Sequence, residues 1–316
     1  MDPCPVGLRG IVPSLNTPLR DDGTVDTDSL ARLVEHVIDT GCSGMLALAV
    51  ASEAANLPGR ERDRIAETVV ARADGRLPVI LGAIAPDQQG RVAGAARARS
   101  LGADAVLAQL PLDATAGARA RMLHEIAAAG PPLLMLQDLD WHGPGLPVDE
   151  IAALFAAEPR FGCLKVEVVP AGPKYAAVLA ATEGRLHVSG GWAVGQMLDA
   201  LARGVHAFMG TELETVYVAI RKLHGSGDRD GARALFEAAL PVLAFANQHI
   251  DVSIRFLKML RHANGIFSTD RCTPAIPGFD VVQAAEARRL IPQAQALIAR
   301  AERILRETEN TSTRRD

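Results

Sequence analysis

The chemistry open to this chain starts from a lysine and a glutamate two residues apart. Lys165 and Glu167 close the run FGCLKVE at positions 161–167, bounded by EPR at 158–160 and by Pro170. A short apolar run between such breakers reads as a buried strand. An ammonium in apolar surroundings is costly, and desolvation favours the neutral amine. A neutral amine attacks a ketone carbon and forms a Schiff base. The other reading of Lys165 is a side chain at the wet end of the strand that caps a neighbouring helix. Residues two apart share one face of a strand, so Glu167 points where Lys165 points. Its carboxylate then pairs with the lysine, accepts a proton from water or substrate, or bridges to Lys174 or a rim arginine.

The elements that must position this pair alternate along the chain. Apolar runs at 8–18, 45–50, 78–82, 104–110, 132–137, 161–167, 185–189 and 205–209 read as eight strands. Between and after them, helical patterns run over 59–73, 88–100, 117–129, 148–157, 173–182, 194–202 and 213–223. The first helix has Asp26 as N-cap, Val25 and Leu30 as a hydrophobic staple, the stripe Leu30, Leu33, Val34, Val37, Ile38, and Gly41 as its stop. Even alternation with short loops predicts parallel strands joined by crossover helices, and eight such units close into a (β/α)8 TIM barrel. No glycine-rich phosphate fingerprint follows the first strand, which weighs against an open dinucleotide-binding sheet. Helices at 230–247, 250–263 and 281–305 follow. The expected domains are the barrel at 1–225, a C-terminal helical extension at 226–308, and a disordered tail at 309–316.

Composition narrows the function classes. The chain has 316 residues, 48% hydrophobic and 22% charged, enough for a large core. Net charge is −4, with no basic block interleaved with aromatics, so nucleic acid is not an expected partner. The longest apolar run, 45–51, is too short to span a bilayer, and the opening MDPCP lacks the pattern of a signal peptide. Cys4, Cys42, Cys163 and Cys272 are far apart and read as free thiols of a cytoplasmic protein. The eight histidines are scattered, so neither a metal nor another cofactor is expected.

In an α/β barrel the reacting groups sit at the C-terminal ends of the strands. That rule selects Ala51, Ser52 and Glu53 after strand two, Gln137 and Asp138 on strand five, Lys165 and Glu167 on strand six, Gly190 and Gly191 after strand seven, and Gly210, Thr211 and Glu212 after strand eight. Four segments in this order carry a resemblance: GIVPSLNTP at 10–18, AVASE at 49–53, GCLK at 162–165 and VSGG at 188–191. Across about residues 8–305 the chain resembles the dihydrodipicolinate synthase and N-acetylneuraminate lyase family, Schiff-base enzymes on an eightfold barrel with a helical extension. The resemblance implies Lys165 as the imine-forming lysine, a small keto acid as partner, and a homo-dimer or homo-tetramer.

The departures from the family pattern are specific. Its paired threonines fall on Val50 and Ala51, leaving the backbone amides of Ala51 and Ser52 for a substrate carboxylate. Its strand-five tyrosine falls on Gln137, and an amide does not shuttle a proton. The remaining tyrosines, Tyr175 and Tyr217, lie in predicted helices. No arginine stands in the loop 139–143, and LPLD at 110–113 lacks the tyrosine expected after strand four. A branch with Gln-Asp on strand five and Lys-Val-Glu on strand six is the closer resemblance.

The site assignment is therefore Lys165, Gln137 and Glu167 as catalytic, and Val50, Ala51, Ser52, Asp138, Gly190 and Phe208 as substrate-binding. Trp141 and His142 are placed to close the pocket from above. Three functions fit: a class I lyase or aldolase on pyruvate or another 2-keto acid, a non-catalytic paralogue that binds such an acid, and a sugar-acid dehydratase using the same imine.

Overall fold

A computed structural model describes residues 7–312. Cys4, the MDPCP opening and residues 313–316 lie outside them. Chain order through the barrel is β1 Gly10–Ile11, α1 Thr27–Asp39, β2 Met45–Ala47, α2 Gly59–Ala73, β3 Val79–Gly82, α3 Gln88–Ser100, β4 Ala105–Gln109, α4 Ala116–Ala129, β5 Leu133–Leu139, α5 Val148–Ala157, β6 Phe161–Glu167, α6 Ala171–Ala181, β7 His187–Gly190, α7 Met197–Ala202, β8 Ala207–Phe208 and α8 Glu214–Gly225. The extension is α9 Arg229–Ala246, α10 Ile250–Ala263 and α11 Val281–Ser312.

All eight strands are parallel, each neighbour in sequence its neighbour in space, with β1 paired to β8. The ring closes between β1 and β2, where Leu46 N donates to Pro13 O at 2.9 Å and Leu15 N to Leu46 O at 2.8 Å. The eightfold barrel is therefore as expected. Alternation sorts its core into two shells. Val12, Leu46, Ile80, Leu107, Met135 and Cys163 fill the interior. Their neighbours Leu81, Val106, Leu134, Leu136, Leu164 and Val166 face outward under the helices. The α1 stripe Leu30, Leu33, Val34 and Val37 is buried, and Asp26 accepts from Ser29 N as its N-cap.

Three boundaries differ from the sequence reading. The first strand is only two residues long. Pro13 has no N–H to continue a ladder, and the polar residues beyond it bond the loop after β2 instead: Asn16 Nδ2 donates to Ala51 O and Thr17 Oγ1 to Ser52 O. Residues 192–196 form a 3-10 turn before α7. The backbone of α11 continues to Ser312, four residues into the stretch read as a disordered tail.

The extension is bolted to the barrel mouth by buried ion pairs. Lys258 on α10 meets Glu53, after β2, at 2.6 Å, and Glu53 also accepts from Thr273 N at 2.6 Å. Arg261, one turn on, pairs with Glu214 and lies against the Glu212 carboxyl group after β8. Glu53, Glu212 and Leu213 all adopt left-handed backbone conformations, each a local cost of about 1–3 kcal/mol that persists only where surroundings over-determine it. The two cations of α10 provide that determination for the glutamates, and so shape two of the loops around the mouth.

Candidate active site

The interior face of each strand leads upward to the mouth. Met135 is interior, so Gln137 is too, and Cys163 leads to Lys165 and then Glu167. The strand register sets Gln109, Gln137, Lys165 and Ser189 side by side across β4 to β7. Hydrogen bonds link this layer. Gln109 Nε2 donates to Gln137 Oε1 at 2.9 Å, Gln137 Nε2 donates to Glu167 Oε2, and Glu167 Oε2 lies 3.2 Å from Lys165 Nζ. Lys165 is 4% exposed, so the amine is not at a wet strand end.

Lys165 and Glu167 line a cavity of about 60 Å³. Val50 and Ala51 form one side, Gly191, Met209, Gly210 and Thr211 another, and Trp141 stands at its edge. From the extension, Asn247 and three α10 residues, Ile250, Ser253 and Leu257, complete the wall. A second chamber of about 480 Å³ continues outward, sharing Trp141, Glu167, Asn247 and Ile250 with the first. His142 lines this outer chamber.

The lack of a side chain at Gly191 leaves room for the Glu167 carboxylate. A Cβ there would lie 1.9 Å from Glu167 Oε1 and 3.2 Å from Lys165 Cε. The carboxylate occupies the space a side chain at 191 would take, and Gln137 and Lys165 hold its other oxygen.

The remaining assignments divide by strand parity. Gln137 is buried behind Glu167 and does not line the cavity; its amide orients the carboxylate. Asp138, one residue on, faces outward, against its assignment to substrate. It accepts from Leu146 N at 2.8 Å and pairs with Lys174 at 3.1 Å. That pair also removes Lys174 as a bridge to Glu167. Burial pushes the Asp138 carboxyl above its ordinary range despite these partners. Phe208 is likewise outward, in the shell beneath the helices, and its neighbour Met209 takes the cavity position. Gly190 is consumed by the sheet, accepting from Met209 N at 2.9 Å, and Gly191 faces the site in its place. Ser52 is also a correction: its amide donates to Ala49 O, and its hydroxyl donates to Leu15 O at 2.7 Å and accepts from Ala49 N. Nothing of it remains for a substrate carboxylate.

Two cavity groups were missed. Ser14 is buried on the cavity with no partner for its Oγ among the described residues; the period-two step from the interior Val12 was the available signal. Tyr217, passed over because it lies in a helix, lines the cavity from the first turn of α8. Burial, and the nearby Glu214 and Glu212, push its phenol up, so it stays protonated. Among the described residues no His, Cys, Asp and Glu cluster is arranged to hold a metal, and no helix is long and apolar enough to cross a membrane.

Comparison with known proteins follows the fold. A dihydrodipicolinate synthase from Rhodopseudomonas palustris superposes with a TM-score of 0.83 at 22% identity, covering 93% of this chain and 99% of that one. An L-2-keto-3-deoxyarabonate dehydratase from Azospirillum brasilense is 28% identical over 90% of this chain and 95% of its own. A DapA-like lyase from Halobacterium salinarum is 39% identical, but over 35% of this chain and only 38% of its own length. The profile of the Dihydrodipicolinate synthetase family matches residues 7–277, and the chain belongs to that family.

Proposed function

We propose that this protein is a class I lyase that forms an imine between Lys165 and pyruvate or another 2-keto acid. The supporting observation is the buried Lys165 amine on the wall of a small cavity, 3.2 Å from a carboxylate held by two further contacts. The cavity has room for about four waters, the scale of a keto acid's carboxylate and carbonyl. Ser14 Oγ offers an unused hydrogen bond to that carboxylate beside Ala51.

In this reading Glu167 takes a proton from Lys165, and the amine attacks the ketone carbon. Glu167 returns the proton as the carbinol oxygen leaves as water, giving the protonated imine. For cleavage, Glu167 then accepts the proton of the C4 hydroxyl. The C3–C4 bond breaks, its electron pair passes into the imine as an enamine, and an aldehyde is released. Protonation of the enamine at C3 and hydrolysis regenerate the amine. Glu167 thus moves the protons that the family's tyrosine moves elsewhere, and Gln137 positions it. A sugar-acid dehydratase is the second reading, favoured by the Azospirillum relative that matches along nearly its whole length. It uses the same imine and expels the C3 hydroxyl as water.

Borohydride reduction in the presence of pyruvate, read by peptide mass spectrometry, tests the imine. An adduct on Lys165, absent in Lys165→Ala, is expected. No adduct across a panel of 2-keto acids returns the chain to a binding protein without this chemistry. Assembly as a homo-dimer or homo-tetramer belongs to the same proposal and is read by light scattering.

A further inference from the structure

The inner cavity accommodates little beyond a keto acid, whereas the outer chamber has about eight times its volume (480 against 60 Å³) and shares Trp141, Glu167, Asn247 and Ile250 with it. Of the cavities bordering the inner one, the outer chamber is the larger and the one that shares Glu167, so it is the space for whatever is joined to or released from the keto acid. Its lining states what that fragment is. The apolar side chains are Trp141, Val168, Val169, Ala171 and Ile250. Only six large apolar side chains are exposed among the described residues, and two of them are here: Trp141 at 38% and Val169 at 59%. Placing exposed apolar surface beside a reactive centre is unfavourable unless a ligand covers it. Charge supports the same conclusion. Among the described residues no lysine or arginine lines the chamber, while Asp140 and Glu167 do, so a tail bearing a second carboxylate meets like charge. The imidazoles of His142 and His249 and the amides of Gln196, Asn247 and Gln248 leave hydrogen-bonding groups at its border.

We propose that the outer chamber accepts an uncharged, apolar aldehyde fragment, aryl or branched alkyl, with Trp141 and Val169 as its specificity-determining surface. The inference rests on the imine reading above. In the synthetic direction the Lys165 enamine of pyruvate attacks the aldehyde carbon through C3. A C–C bond forms and the aldehyde oxygen takes up a proton. Hydrolysis of the imine then consumes one water and releases a 4-hydroxy-2-keto acid with the apolar group on C4.

The full-length protein is incubated with pyruvate and, in separate arms, benzaldehyde, 2-methylpropanal, glyceraldehyde and succinic semialdehyde, and products are quantified by mass spectrometry. Benzaldehyde or 2-methylpropanal should exceed glyceraldehyde at least tenfold in kcat/KM, with succinic semialdehyde lowest. Val169→Asp, at a side chain too exposed to carry the fold, should reduce that preference about tenfold. Faster turnover of glyceraldehyde or the semialdehyde overturns the proposal, as does a Val169→Asp variant that changes only the oligomeric mass. Pyruvate trapping on Lys165 is read in parallel, so failure of the imine is seen separately. In that event benzyl alcohol binding, followed by ligand-observed NMR, still decides: at least tenfold weakening by Val169→Asp supports the chamber, and equal affinity overturns it.

Discussion

Glu167 is the residue on which the site turns, because three independent contacts aim one carboxylate. Lys165 and Gln137 hold one oxygen and the backbone of Gly191 leaves room for the other. Glu167→Gln keeps the shape and removes the proton acceptor. Its turnover should fall about 10²-fold or more, and pyruvate should be trapped on Lys165 more slowly but on the same residue; unaltered turnover would assign the proton transfers elsewhere. Gly191→Ala approaches the same carboxylate sterically. Its methyl displaces Glu167 from Lys165, and a shift of about 1 Å in a reacting group is worth about a hundredfold in rate. Steady-state kinetics on the two variants separates loss of the acid–base group from loss of its position.

At the scale of elements, the loop 140–147 between β5 and α5 carries Trp141 to the edge of both chambers, and one buried lysine anchors it. Lys174 Nζ on α6 donates to Pro144 O at 2.7 Å and to Leu146 O, and pairs with Asp138 at 3.1 Å. Val169 N ties the loop again through Gly143 O at 3.0 Å. Gly145 has a φ of +70°, and a Cβ there would lie 2.2 Å from Asp138 Oδ1, so the turn admits only glycine. Lys174→Met leaves the Asp138 carboxyl buried without its cation, a loss of about 3–5 kcal/mol by the usual cost of breaking a buried pair. Urea denaturation should show that loss, and KM for the carbonyl substrate should rise more than kcat falls, because the loop supplies a wall and not a reacting group. A stability matching the parent would mean that the pair contributes little. The extension acts at the same scale. Helix α10 lends Ile250, Ser253 and Leu257 to the cavity, and Lys258 and Arg261 fix its seat on the loops after β2 and β8.

For the whole molecule, the seat of the extension makes stability depend on pH. Glu212 and Glu214 share one guanidinium. Arg261 holds Glu214 below the ordinary carboxylate range against its burial, while burial pushes Glu212 up to about 8. In the unfolded chain Glu212 ionises near 4.5. Between about pH 4.5 and 8 unfolding therefore releases a proton, and the contribution of Glu212 to stability declines as pH rises through that window. Glu212→Gln preserves the neutral form. Denaturation midpoints of parent and variant should lie close together at pH 5, with the variant the more stable at pH 8. Parallel curves would show that Glu212 is ionised throughout.

Local pattern alone determined the alternation of eight strands and helices, because apolar periodicity and helix stops act over a few residues. The spans Gly59–Ala73, Gln88–Ser100, Val148–Ala157 and Phe161–Glu167 stand where the pattern placed them. The step of two from Lys165 to Glu167 set both on one face by the same short-range rule. Adjacent residues cannot share a strand face, so Gln137 with Asp138 already contained a conflict that parity could have resolved. Tertiary structure decided what no local rule reaches. Register across four strands aligns Gln109, Gln137, Lys165 and Ser189. A helix about ninety residues beyond Lys165 returns to wall its cavity. The hydroxyl of Ser52 is consumed by Leu15 O, 37 positions earlier in the chain. Each is a contact between segments distant in sequence, set by closure of the barrel and by buried charges seeking partners, and neither leaves a periodic trace in the chain.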